Sequence, residues 1–526
     1  MNSVKCNPSQ ISSTEPVLPG YVNNLKSRQI WISTSISILF VITFYIWFIS
    51  FGSWTNWPSV TNYDGYYNEL AIAFQGGNLS LQIKPSPDLL ALQDPYDPTS
   101  RHDNHIAYPI DFSLYKGKYY LYFGPVPALF LLAVRLMGSG TIADHYFVFI
   151  FVSGILIFQS LLIIKIRKRF FKNIPAWLTF LCILFCGLIS PIPWILTLAQ
   201  VYEAASAGGQ FFFLAGLYFL INALDRESPS IGQLLVTGIS WAFAIGTRLT
   251  QIVPIGFVIF MTIFWILRIF FQTKRRSRVS SPLIALCLPI VFGLAILGWY
   301  NWARFDSVFE TGFYYELAGP FLQKYSHVLF SPLYLLPNLW DYLVVRPKVG
   351  LAFPFIQSIS GYGSIKFSFI SLPPIYHEGS ITGILFSTPF VLFAAIPLLT
   401  FLPKNKTTSD EIVADHDTYL FKWLIISLLG SFLFGLAPLV LYFFVQTRFL
   451  TDFISSLILL SVIGFWQGYN FLTYKPFIRR LYVAAGILLM GVSIIISILV
   501  TLSANAAQFQ QFNPILWNHL ISLFSR

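Results

Sequence analysis

The chain predicts an all-α, polytopic membrane protein of about eleven transmembrane helices, and three observations predict it. Hydrophobic residues make up 56% of the sequence and charged residues only 10%. Mean hydropathy is +0.67. The apolar residues gather in runs of about 20, the length a helix needs to cross the hydrocarbon of a bilayer. The net charge of +11 fits the same class, because most Lys and Arg residues flank apolar runs and do not form one stripe with stacking aromatics. Nucleic-acid binding is therefore set aside as the reason for the basic balance.

Taken in order, residues 1–29 are polar and aperiodic and read as a disordered cytoplasmic tail. The segment Ile30 to Phe51 follows a tail too long for a signal peptide and is itself too long for an h-region, so it is expected to stay as a signal anchor and first span. Further spans are expected at Asp144 to Ile164, Ile174 to Leu198, Gly208 to Leu224, Ile231 to Gly246, Ile252 to Phe271, Pro282 to Trp299, Ile381 to Phe401, Phe421 to Val445, Phe453 to Phe471 and Leu481 to Leu502. The apolar stretch Tyr119 to Met137 is an ambiguity. Counting it as a span would put the basic run Lys165 to Lys172 outside, whereas a helix lying in the outer interface, with Pro125, Pro127 and its tyrosines, keeps the charge rule.

With the N-terminus cytoplasmic, the clusters around Lys26, Lys165, Arg275, Lys404 and Arg479 all fall inside. Residues 30–502 then form a single transmembrane domain, with external loops at 52–143 and 300–380 and an external tail at 503–526. Cys6, Cys182, Cys186 and Cys287 lie in the tail or in spans, so they outline no external disulfide framework.

Candidate chemistry sits in the external loops. Just beyond the first span comes Asn62-Tyr63-Asp64-Gly65-Tyr66-Tyr67-Asn68-Glu69, in which Tyr66 to Phe74 reads as a short helix stopped by Gly76-Gly77. Asp64 then stands at the helix start near the headgroups, either as a reactive carboxylate or simply as an N-cap. Asp94-Pro95-Tyr96-Asp97-Pro98 reads first as turn chemistry, and Asp94, Asp97 or Asp111 is alternatively a second acid. Glu203, in a short outer loop, is a further candidate. His102, Asp103 and His105 resemble a metal set only loosely.

The segment from Asp64 to Ala71, with Phe74 and Gly76-Gly77, resembles the one after the first span in the GT-C superfamily of polyprenyl-phosphate-sugar-dependent glycosyltransferases, and Tyr119 to Met137 resembles its second juxtamembrane helix. The stretches Asn301 to Gly312, Gly383 to Phe390 and Thr447 to Phe453 are similar to bacterial members grouped with the dolichyl-phosphate-mannose-protein mannosyltransferase-like and aminoarabinose-transferase-like proteins. One departure matters: many members carry two adjacent acids where this chain has Asp64 followed by Gly65.

The resemblance implies a GT-C-like fold with juxtamembrane helices in the first external loop. It implies an inverting hexosyltransferase of a bacterial plasma (inner) membrane, with its active site on the external or periplasmic face. The donor would be a sugar on a polyprenyl phosphate, and the acceptor a glycolipid, polysaccharide or protein. Asp64 would be the general base on the acceptor hydroxyl. Arg248, Arg448 and Arg304 would be the candidates for the departing phosphate, since a guanidinium fork can hold two phosphate oxygens. An Arg448–Asp452 ion pair one turn apart is an equally good reading of those two residues. Tyr63, Tyr67 and Lys118 are substrate-lining candidates. No cofactor is required by the sequence, although acidic loop residues could hold a divalent ion at the phosphate. A carrier or flippase for lipid-linked saccharides, or a non-catalytic glycolipid-binding relative, stays as the alternative class.

Overall fold

The computed structural model describes residues 19–58, 65–138, 140–226, 228–272, 280–360, 366–402 and 416–524. Helices dominate it. Helix α1 (Pro19–Ile49) is followed by a long loop that holds α2 (Tyr66–Gln75), the hairpin β1 (Phe112–Tyr115) and β2 (Lys118–Leu121), and α3 (Val126–Leu136). Then come α4 (Asp144–Phe170), α5 (Ala176–Leu188), α6 (Val201–Leu224), α7 (Ile231–Thr247), α8 (Ile252–Gln272) and α9 (Ser280–Phe305). A second long loop contains α10 (Leu335–Leu343) and β3 (His377–Glu378). The chain closes with α11 (His416–Val440), β4 (Phe444–Val445), α12 (Ile454–Phe471) and α13 (Pro476–Ala504), before two short terminal helices.

Among the described residues, eight helices are long and apolar enough to cross a membrane. The remaining three expected spans fall on shorter apolar helices: α5, α7 and a 3₁₀ run, Pro389–Phe401. Proline accounts for two of these interruptions. The expected span Ile174 to Leu198 is broken between Leu188 and Ile192, where Pro191 removes a donor, and Pro389 and Pro397 keep the other from a regular α-helix.

Small residues let the helices approach closely where lipid offers no hydrophobic drive. At Gly216 of α6 an added Cβ would lie 2.4 Å from the indole nitrogen of Trp241 on α7, and that nitrogen donates to Phe213 O at 3.1 Å. Around this contact α6 packs on both α4 and α7, and α7 packs on α9.

The stretch Tyr119 to Met137 corrects the expectation of one interfacial helix. Its first residues pair in the hairpin, with Phe112 opposite Leu121, because Lys116 (φ 47°) and Gly117 (φ 72°) make a tight turn with positive φ at both positions. Aromatic residues such as Tyr119 and Tyr120 suit the pleated strand, and Gly124-Pro125 separates it from α3. The 11-residue α3 is too short to cross, and it leaves Leu129, Phe130, Val134, Leu136 and Met137 exposed.

The second loop seals onto this hairpin. Ser113 bridges Glu316, Leu317 N–H donates to Phe112 O at 2.8 Å, and Asp111 N–H donates to Leu317 O at 3.3 Å. Farther along, β3 runs parallel to β4, so His377 lies beside Phe444.

Candidate active site

The charges of the bundle separate to its two ends. At one end Asp225, after α6, binds Lys165 at 2.6 Å and Arg169 at 3.0 Å, both from α4, and Arg169 also reaches Asp417 of α11. The other end of the same helices carries a mixed cluster from four elements: Glu203 at the start of α6, Arg248 at the end of α7, the segment Thr447–Asp452 after α11, and the seam between the two long loops.

Arg248 anchors this cluster. Its Nε and Nη2 donate to Asp452 Oδ2 at 3.2 and 3.1 Å, Thr250 Oγ1 donates to the same oxygen at 3.1 Å, and Gln251 Nε2 donates to Asp452 O at 3.2 Å. The expected Arg448–Asp452 pair is thereby corrected, since Asp452 is committed to Arg248. The segment is a 3₁₀ helix, and its tighter winding replaces the α-helical spacing on which that pair depended. Arg448 instead lies over the Tyr202 ring at 4.3 Å, flanked by Phe449 and Phe444, with Nη1 4.0 Å from Glu203 Oε1. Glu203 is buried and closes a capping box, accepting from Gln200 N–H at 3.3 Å.

Two carboxyls from different loops, Asp111 and Glu316, lie close enough to Arg448 to feel its charge. Asp111 ends its segment at φ 63°, a left-handed conformation that Asp tolerates better than most side chains. Its backbone N–H donates to Leu317 O at 3.3 Å, which brings it alongside Glu316 of the second loop, itself 5% exposed. Burial first, and then the Asp111 charge, push the Glu316 carboxyl well above the usual carboxylate range, while burial raises Asp111 against the lowering influence of neighbouring Glu316 and Arg448. Tyr122 and Tyr442 complete the ring of groups that feel this pair and Arg448.

The start of α2 joins the cluster through Asp144. Its Oδ2 accepts from Gly65 N–H at 3.2 Å and Tyr66 N–H at 2.9 Å, and its Oδ1 accepts from Tyr67 N–H at 3.3 Å. An acid at the head of the next span thus caps α2. That cap was not expected from the sequence, which offered Asp64 for the role. Tyr67 is fully buried, its hydroxyl has no hydrogen-bond partner among the described residues, and it feels the charges of both Asp144 and Arg248. Asp64 and Tyr63 lie outside the described residues.

Other expected site residues are placed elsewhere. Arg304 spends its donors on its own surroundings, with Nη1 on Leu121 O at 2.7 Å and Nη2 on Asn301 Oδ1 at 2.9 Å, and it stacks on Tyr300. Asp94 accepts from Tyr96 N–H at 2.9 Å and Asp97 from Thr99 N–H at 3.0 Å, the turn and cap roles their prolines suggest. Lys118 is exposed at the start of β2. His102 and Asp103 are exposed neighbours, and no group of three or more His, Cys, Asp or Glu side chains among the described residues is arranged to hold a metal ion. Sequence reading missed Glu316, Tyr122, Tyr442 and Asp144; only the last carried a signal, an acid opening an apolar run.

Fold and site together define a polytopic helical membrane protein with a buried acid–arginine cluster at one end of its bundle. No family model matches the chain, and no curated protein matches it. Among solved structures it is similar to the apo oligosaccharyltransferase of Archaeoglobus fulgidus, at 11% identity and TM-score 0.39, over 94% of this chain and 60% of that one. It is also similar to ArnT from Cupriavidus metallidurans bound to undecaprenyl phosphate, at 11% identity and TM-score 0.39, over 94% of this chain and 78% of that one. The chain spans 60% of the length of the first of them.

Proposed function

We propose that the chain is a GT-C-type inverting glycosyltransferase that takes a sugar from a polyprenyl-phosphate carrier and transfers it, on the external face of the membrane, to a hydroxyl acceptor. The observation that carries this reading is that Arg248 and Arg448, from different elements, both lie over the Phe449 ring, at 5.7 and 5.2 Å, at the end of the bundle opposite the basic Lys165–Arg169 cluster. A guanidinium within a membrane protein is costly unless it serves a partner or a polar cavity, and two together suit an anionic leaving group.

In the proposed step the Asp64 carboxylate takes the proton of the acceptor hydroxyl as its oxygen attacks the anomeric carbon. The bond from that carbon to the phosphate oxygen breaks, and the lipid phosphate leaves with the electron pair. Arg248 and Arg448 stabilise the charge that develops there. One displacement inverts the anomeric centre. Tyr67, buried near Arg248, would line the donor pocket.

The test is transfer from a panel of radiolabelled polyprenyl-phosphate sugars by the purified protein in lipid, comparing wild type with Asp64→Asn. Loss of roughly a hundredfold or more with folding intact supports a general base. Undiminished transfer removes Asp64 from the mechanism, and saturable lipid binding without transfer from any donor favours a carrier or glycolipid-binding protein.

A further inference from the structure

Helix α3 is too short to cross a bilayer, yet it sits at the depth of helices that do. Its Phe130 ring stacks on Phe212 at 5.8 Å, about three turns into α6, and meets Phe243 edge-on at 5.7 Å, about one turn inside the end of α7. Because α6 is long and apolar enough to span, the outer flank of α3 continues a hydrocarbon-facing surface. On that flank Leu129, Phe130, Val134, Leu136 and Met137 are exposed, the last at 85%, and exposed Phe243 extends the patch onto α7. Acyl chains are the cover that suits an apolar patch continuous with a span.

Arg135 stands in the last turn of this helix. Its Nε donates to Gln75 Oε1 at 3.2 Å and its Nη1 to Asn68 Oδ1 at 3.1 Å, two carboxamides at opposite ends of α2. Both acceptors are neutral. Lys165, Arg169, Arg248 and Arg448 each face a carboxylate, whereas no acid among the described residues lies within ion-pairing distance of Arg135, and its Nη2 has no partner among them. A full positive charge beside apolar surface, held only by amide dipoles, is costly without an anion. The two bonds to α2 also fix the guanidinium plane, so its remaining N–H groups form a ready fork for a phosphate.

We propose that α3 carries a binding site for an acidic phospholipid of the surrounding leaflet, which lays its acyl chains along Leu129, Val134 and Met137 and sets its phosphate on Arg135. The site stands whether or not the protein transfers a sugar, because none of its residues belongs to the Arg248–Arg448 cluster. Its lipid would also brace α2, since the same guanidinium holds Asn68 and Gln75. Acidic lipid should therefore stabilise the folded protein by mass action, and the effect should pass through Arg135.

The experiment is native mass spectrometry of the full chain in detergent, titrated with phosphatidylglycerol or with phosphatidylcholine of the same acyl chains. Wild type is expected to retain one phosphatidylglycerol about tenfold more tightly than phosphatidylcholine, the scale of one charge-assisted bond. Arg135→Gln should abolish that preference and leave phosphatidylcholine binding unchanged. Because Arg135 also touches α2, Met137→Glu serves as a second variant: the side chain is exposed, so the fold is kept while the new carboxylate repels the headgroup. Equal retention of the two lipids by wild type, or a preference that survives both variants, overturns the site. Displacement of phosphatidylglycerol by an equimolar polyprenyl phosphate also overturns it, by giving the position to the donor lipid. A nitroxide at Met137→Cys in nanodiscs should be relaxed by oxygen and shielded from a water-soluble nickel chelate; free access of the chelate would take α3 out of the bilayer and overturn the site as well.

Discussion

Arg248 and Asp452 illustrate how little freedom a single residue has at this site. Asp452 is 3% exposed, and it takes both guanidinium donors on one oxygen. Arg248→Ala would leave that carboxylate buried and unpaired, a loss of about 3–5 kcal/mol, whereas Arg248→Lys would keep the charge and lose the fork. Thermal melting in detergent should rank the proteins wild type, Lys, Ala; an Ala variant as stable as wild type would show that the pair does not hold these elements together. Glu316 makes the pH dependence of stability a residue-scale matter as well. Its carboxyl is raised in the fold by burial and by Asp111, so the folded state binds the proton more tightly than the unfolded chain does. The stabilisation is full below the ordinary carboxylate range and is lost as pH rises through the raised value. Melting temperature should therefore fall with rising pH more steeply for wild type than for Glu316→Gln, and parallel curves would contradict it.

At the scale of elements, α2 owes its start to another helix. Three consecutive amides, from Gly65, Tyr66 and Tyr67, point at Asp144, so the N-terminal turn of α2 is fixed only when α4 is in place. Asp144→Ala should cost about 1–2 kcal/mol and raise hydrogen exchange across the first turn of α2 more than across α4. Uniform protection in both would mean the cap is dispensable. The junction of α3 and α7 is a second element-scale constraint. A Cβ at Gly124 would stand 2.1 Å from Gly246 O, a backbone atom that cannot rotate away. Gly124→Ala should therefore separate the two helix ends and lower the yield of folded protein, read by size-exclusion profile and melting temperature. The hairpin belongs here too: the Lys116-Gly117 signal was present in the sequence, but the apolar character of the residues after it resembled a helix as readily as a strand.

For the whole molecule, sidedness is the property on which function depends. Lysines and arginines flank spans in a pattern that would put Lys165 and Arg169 inside, and the fold puts these residues at the end away from Arg248 and Arg448. A cysteine at exposed Asn104 should react with a membrane-impermeant maleimide on intact cells, and one at exposed Asn173 only after permeabilisation, in a background lacking Cys6 and Cys287. The reverse pattern would move the cluster to the cytoplasmic side and remove the external-face mechanism.

The sequence by itself determined the helical membrane class, the placement of most spans, the short helix after the first of them, and the turn roles of Asp94 and Asp97. All of these rest on local periodicity, composition or a fixed spacing along the chain. The candidate arginines Arg248 and Arg448 were also legible, because a charge beside an apolar run demands a reason wherever it is found. Only the tertiary structure decided that Asp452 belongs to Arg248, that Arg304 donates to Leu121 O, that Asp144 caps α2, and that the Asp111 N–H pairs with Leu317 of the second loop. Each of those partnerships joins residues far apart in the chain, and no local pattern records which distant groups a fold will bring within hydrogen-bonding distance.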